Sequence, residues 1–292
     1  MVVYSAFKRS LSLPPTQKAA KSCHVRSTSL PCRAHPDLAL VKDQMHKITA
    51  WIIKKDSTFN NLLSGLRMLK SLYDTMDDFL QLPQTQEVVS HNERWANLLL
   101  DDLLKFLEVF GVVGTVLSSL KEHHLSTLIS LRRRDSTNME ANAQSFIGHR
   151  KKANKEMTKL ITVLKSMIKP SAAEISREEV EILAIFNDVK ALTVSIAISI
   201  VSGLCWTPRR VFGKWVGLPK RRIESIKEIA DADSVLDCVL RCRGRLDDET
   251  SKMALESMVA LEDCLNGLEH GNESIFRGLI NTRVSILNIL TQ

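Results

Sequence analysis

Near its C-terminus the chain places apolar residues in alternating steps of four and three: Ala254, Met258, Leu261, Leu265, Leu268, Asn272, Ile275, Leu279, Thr282, Ile286 and Ile289. A repeat averaging 3.5 residues, held over about five heptads, lays one stripe of a helix against other helices. Asn272 and Thr282 alone interrupt the stripe, and they read as polar layers that fix the register of a packed helix. Gly267, Gly271 and Gly278 each weaken a free helix, and the amphipathic segments upstream need partners for their own stripes. The pattern therefore predicts an internal bundle helix rather than a coiled coil between chains.

The same periodicity marks further helices upstream. Pro36-Asp37 opens one with Leu38, Val41, Met45, Ile48 and Ile52 on its face. Ser57 or Thr58 caps a second, striped by Leu62, Leu66, Leu69, Tyr73, Met76 and Leu80, which Pro83 stops. After a short piece from Gln84 to Ser90, a long helix starts at Asn92 and runs to the Arg132-Arg133-Arg134 cluster, with Gly111 and Gly114 marking a bend or a close crossing. Phe146, Met157 and Leu164 belong to the next helix, and a capping box from Ser176 to Glu179 begins another, striped by Val180, Leu183, Phe186 and Val189. Ile223, Ile226, Ala230, Leu236, Val239 and Leu240 then form a core face ending near Gly244, and Asp247-Asp248-Glu249 puts acids at the start of the terminal helix. Strand-like alternation is absent. The expected fold is all-α, an elongated multi-helix bundle over residues 36–292 with a disordered N-terminal tail over residues 1–35.

Between Ala191 and Trp206 the chain carries no charge. Two readings fit this run. It is shorter than the roughly 20 residues needed to cross a bilayer, so it reads as a buried central helix. Beside it, however, Arg209, Arg210, Lys214, Lys220, Arg221 and Arg222 surround Phe212 and Trp215 with no acid among them, a composition suited to an anionic membrane surface.

The net charge of +7 changes the picture only when it is divided along the chain. Residues 1–35 hold six bases (Lys8, Arg9, Lys18, Lys21, Arg26, Arg33) and no acid, leaving 34 bases against 33 acids in the body. Nucleic-acid binding by the body is therefore not expected. Pro14, Pro15 and Pro31 break the tail, which buries too little apolar surface to offset its ordering entropy. Its composition also matches an organelle transit peptide, so cytoplasmic residence, with or without membrane association, has a chloroplast alternative. Arg9-Ser-Leu-Ser12-Leu-Pro14 and Arg26-Ser-Thr-Ser29-Leu-Pro31 both match the phosphoserine pattern bound by 14-3-3 proteins, with Ser12 and Ser29 as phosphosites.

Catalytic and metal-binding patterns are missing. No Gly-rich phosphate cradle, Glu-x-x-His pair or zinc-protease spacing occurs. Cys23, Cys32, Cys205, Cys238, Cys242 and Cys264 include no Cys-x-x-Cys pair and read as reduced thiols, with Cys238 and Cys242 on one helix face as at most half of a metal site. Lys121-Glu122-His123-His124 reads as a solvated face, because adjacent residues diverge on a helix. No nucleophile, base and orienting group can be assigned by spacing, and neither a cofactor nor enzymatic activity is expected.

Three segments in order carry a resemblance. His24-Val-Arg-Ser-Thr-Ser-Leu-Pro31 leading to His35-Pro36, Leu80-Gln-Leu-Pro-Gln-Thr-Gln86, and Ile275-Phe-Arg-Gly-Leu-Ile-Asn-Thr-Arg-Val-Ser-Ile-Leu-Asn-Ile-Leu290 resemble the plant-specific BYPASS-related family across residues 24–290. The resemblance implies an all-helical plant protein without established catalysis, tied to root and shoot development through restraint of a mobile growth-arresting signal. It supplies no catalytic residues. Gly278 stands where similar sequences carry a basic residue, and Cys205-Trp-Thr-Pro-Arg-Arg is particular to this chain.

Overall fold

Eight α-helices and no strand make up the described residues of a computed structural model, which cover 36–54, 58–168, 177–205 and 226–292. In order they are α1 (Pro36–Lys54), α2 (Phe59–Leu80), α3 (Pro83–His91), α4 (Glu93–Arg133), α5 (Ser136–Ser166), α6 (Arg177–Leu204), α7 (Lys227–Arg241) and α8 (Asp248–Leu290). The helices form a bundle elongated along α4 and α8, whose 41 and 43 residues each extend about 60 Å at 1.5 Å per residue. Residues 1–35 and the capping Ser176 lie outside the described residues, as do Ile223 and the side chain of Val180.

Helix ends form where short polar side chains can satisfy free backbone N–H groups. Thr58, Asp135 and Asp247 accept from the N–H groups of Asn61, Asn138 and Thr250 at the starts of α2, α5 and α8. The Asn138 backbone bond foremost holds the Asp135 carboxyl below the usual range, and the Thr250 hydroxyl foremost, then its backbone N–H, does so for Asp247. Pro83 does not stop α2, which closes two residues earlier over Gln81; instead it occupies the first turn of α3, where its missing N–H costs nothing. α7 ends in two left-handed residues, Arg243 and Gly244, and the Gly244 N–H donates to Val239 O at 2.9 Å. A Cβ on Gly244 would stand 2.1 Å from Ser136 O, so the start of α5 rests against this turn.

The terminal stripe is the spine of the bundle. All eleven of its positions are buried in α8, joined by Cys264. α8 lies between α2 and α4, parallel to the first and antiparallel to the second. On the α2 side, Gly271 sits under Leu66 and Gly278 under Tyr73, one heptad apart on both helices. On the α4 side, Asn272 Nδ2 donates to Phe110 O at 3.0 Å, and a Cβ on Gly114 would stand 3.1 Å from that nitrogen. Gly111 and Gly114 thus mark a close crossing. The Thr282 hydroxyl, the other expected polar layer, has no hydrogen-bond partner among the described residues.

α6 lies behind this layer, antiparallel to α2 and parallel to α4. Its Thr193 bonds Tyr73 OH at 3.0 Å, and its Lys190 pairs with Asp102 at 2.5 Å. The uncharged run is buried here on several sides, with Val194, Ile196, Ala197, Ile200, Val201 and Leu204 all in the core. Two helical stretches, Glu93–Arg133 and Glu181–Leu204, are long and apolar enough to cross a membrane by length and composition, and about half of each apolar window (44% and 50%) is buried inside the bundle. α7 presents Ile229, Ala232, Leu236 and Val239 to the core, with Ala230 only half-buried. Of the expected stripe, Ile226, Leu236 and Val239 are buried and Leu240 is half-buried like Ala230, while Ile229 and Ala232 complete the buried face.

Candidate functional site

Arg209, Arg210, Phe212, Lys214, Trp215, Lys220, Arg221 and Arg222 lie outside the described residues, as do Ser12, Ser29, Cys23 and Cys32. The structure does describe the two ends that flank 206–225, Gly203 to Cys205 on one side and Ile226 on the other, which form one base. The Ile226 N–H donates to Gly203 O at 3.1 Å, joining the two ends. Gly203 is required there, since a Cβ would lie 2.9 Å from Ile226 and 3.0 Å from Leu62.

Arg150 of α5 locks this base. It is 2% exposed, and its Nε and Nη2 donate to the two Asp233 carboxylate oxygens at 3.1 and 3.0 Å while Nη1 donates to Leu204 O at 2.7 Å. One guanidinium thus joins α5, the last turn of α6 and α7, in the planar bidentate geometry that Arg supplies and Lys cannot. Burial raises the Asp233 carboxyl pKa, and the Arg150 bonds and charge oppose that rise. The Cys205 thiol beside it is likewise pushed up by burial and eased by Arg150.

The histidines are not a solvated face. His124 is 2% exposed and donates from Nε2 to Met258 O at 2.7 Å; burial lowers its pKa, against smaller raising contributions from that bond and Glu262. The His123 ring lies 4.5 Å from that of His149, tilted by 44°, and His149 Nε2 lies 2.6 Å from Ser119 Oγ. Burial lowers the His149 pKa first, then the neighbouring His123 and Lys152. The Ser119–His149 contact ties α4 to α5, and Glu122 acts on the His149 ring against the lowering causes. Lys121 reaches across to Glu269 on α8. α4 is packed by α5 on one side and α8 on the other, so adjacent residues that diverge both find partners.

No group of three or more His, Cys, Asp or Glu side chains with metal-binding placement occurs among the described residues. Cys205, Cys238, Cys242 and Cys264 are free thiols, and burial pushes Cys264 up to about 12. Cys238 is raised by burial and then by Cys242 on the same face. The interior cavity bounded by Tyr73, Phe106, Phe186 and Thr282 holds about 20 Å³, and the one beside Arg150 and Asp233 about 10 Å³. A larger groove of about 240 Å³ runs along the α2–α8 surface past Arg67, Lys70, His270 and Ser274. The polar residues of the interior were not legible as partners in the sequence, because each pair spans distant helices: Tyr73 with Thr193, Asp77 with Ser285, Arg150 with Asp233.

These features define an all-α bundle whose interior polar groups tie helix to helix. The chain belongs to the Protein BPS1 family, whose model matches residues 65–289, from the middle of α2 almost to the end of α8. The match takes in the Leu80–Gln86 segment and nearly all of Ile275–Leu290, while His24–Pro31 falls before its start. Searches of curated proteins and of solved structures gave no match.

Proposed function

We propose that the protein is a non-catalytic helical scaffold that acts through protein partners in plant root and shoot development, as the BYPASS-related resemblance implies. The observation that carries this reading is the use of buried charged, imidazole and amide groups as ties between helices. Arg150 and Asp233 join three helices, Asp102 and Lys190 join α4 to α6, and His124 and Asn272 join α4 to α8. The tail supplies a regulated partner site in which phosphorylated Ser12 and Ser29 take a 14-3-3 protein. Residence is cytoplasmic, with a chloroplast location as the alternative if the basic tail is a transit peptide. Proximity labelling in plant cells, with the full chain and with a chain lacking residues 1–35, tests compartment and partners together. A recurrent partner set that narrows on tail deletion is expected; a profile equal to that of an inert cytoplasmic control removes the reading. Phosphopeptide mass spectrometry finding Ser12 and Ser29 unmodified in cells removes the 14-3-3 site.

A second reading is a peripheral membrane adaptor that uses the basic and aromatic residues between Arg209 and Arg222. The joined ends at Gly203 and Ile226, clamped by Arg150, favour it, because both flanks of the stretch that holds these residues are tied to one rigid point. Flotation with anionic liposomes tests it: Arg209→Gln, Arg210→Gln and Arg221→Gln together should weaken binding, and unchanged binding removes this reading.

A further inference from the structure

The outward face of α5 carries an unneutralised basic line. Ala153, Met157, Ile161 and Leu164 face the core, and at 100° per residue the opposite side passes Gly148, Lys152, Lys155, Lys159 and Ser166, all exposed. Between His149 and Ile168 the only acid is Glu156. Elsewhere on the bundle Lys47 is answered by Asp43, Lys70 by Asp74, Arg134 by Asp248 and Arg277 by Glu273, while bases such as Arg67, Arg94 and Lys252 stand singly without an ion pair among the described residues; α5 differs in setting several bases along one face. On α5, Lys159 pairs with Glu156 at 3.0 Å, but Lys152 and Lys155 form no ion pair with any described residue. The body is close to neutral in total, so the line is a local asymmetry rather than a share of a general excess.

Exposed apolar side chains continue the same stretch. Val163, one turn beyond Lys159, is 40% exposed, and Ile168, in the turn just past the end of α5, is 56% exposed. Lysines whose stems lie along a surface, followed by aliphatic side chains open to solvent, match the boundary between headgroups and acyl chains. A protein partner held tightly would instead meet aromatic or Arg anchors seated in pockets, and this face has neither. Arg150, two residues before Lys152, fixes the end of α6 and the middle of α7 against the same helix.

We propose that the Lys152, Lys155 and Lys159 face of α5, extended by Val163 and Ile168, is a docking surface for an anionic lipid bilayer. The proposal rests on the membrane reading above and moves part of the contact onto a rigid helix of the bundle. Each lysine near an anionic surface contributes enough that removing three lowers partitioning about a hundredfold. Co-sedimentation of the full chain with phosphatidylcholine vesicles, with and without phosphatidylserine, tests it. The full chain should bind only the phosphatidylserine vesicles, with binding that falls as salt is raised. The Lys152→Gln, Lys155→Gln, Lys159→Gln chain should lose about a hundredfold in partitioning, while its circular dichroism and melting temperature stay unchanged because these side chains carry no packing. Val163→Ser with Ile168→Ser should weaken binding at high salt as well as low.

If the triple-Gln chain binds like the wild type while the Arg209→Gln, Arg210→Gln, Arg221→Gln chain loses binding, the α5 surface is overturned and the membrane reading stands. If the wild type binds neither vesicle, or binds an acidic polypeptide such as polyglutamate but no vesicle, both are overturned.

Discussion

Arg150 is the only Lys or Arg buried among the described residues, and its three hydrogen bonds are satisfied by groups from two other helices. Breaking a buried pair from one side strands the other charge, so Arg150→Ala should destabilise the protein by about 3–5 kcal/mol in urea unfolding. Replacing both partners, Arg150→Met with Asp233→Leu, should recover most of that loss, because the desolvation cost of both charges is removed together. A double variant as unstable as the single would show that the Leu204 carbonyl bond dominates. His124 sets a pH dependence of definite sign. Burial holds its folded pKa below the ordinary 6.5, so the unfolded chain takes up the proton first. Stability is then complete above about pH 6.5 and falls as the pH drops from there through the folded pKa. His149 adds in the same direction. Melting temperature should fall between about pH 7 and pH 5, and His124→Gln should flatten that fall; an equal slope in the variant would exclude His124 as its source.

At the scale of elements, the α4–α8 crossing depends on one absent methyl group. Ala in place of Gly114 gains about 1 kcal/mol of helix propensity, yet its Cβ would press on the Asn272 amide that bonds Phe110 O. Gly114→Ala should therefore destabilise the wild type by about 1–2 kcal/mol and become neutral or stabilising in Asn272→Ala, a coupling readable from a double-mutant cycle. Additive changes would mean that the two helices separate freely at this point. The sequence made α8 readable because its burial has a single period; all eleven positions of its stripe are buried. It left Gly111 and Gly114 open between bend and crossing because the partner, Asn272, is 158 residues away from Gly114. Lys121 to His124 misled for the opposite reason. A single-faced helix would expose at least two of those four side chains, but α4 has neighbours on both sides, and no local pattern reports how many neighbours a helix will have. Arg150 was unreadable as a clamp because it stands among exposed lysines, Lys151 and Lys152, where a charge run ordinarily signals a solvated face.

For the whole molecule, the decisive question is whether α8 belongs to the fold or to an interface. Its C-terminal half, beyond Leu268, buries Asn272, Ile275, Leu279, Thr282, Ile286 and Ile289. Its neighbours include Leu66, Tyr73 and Phe110, which lie far apart in the chain and belong to α2 and α4. Four full apolar side chains leave with this half, each contributing about 1.5–3 kcal/mol by burial, and its departure uncovers the facing residues of α2 and α4 as well. That loss is comparable with the 5–15 kcal/mol by which a whole domain is ordinarily stable. A chain ending at Leu268 should therefore lose cooperative thermal unfolding altogether and expose apolar surface to a hydrophobic dye. An interfacial α8 predicts the reverse: the shortened chain would keep a sharp transition and lose only self-association. Calorimetry beside analytical ultracentrifugation separates the two, and a cooperative transition in the shortened chain would overturn the placement of α8 as the spine on which α2 and α4 register.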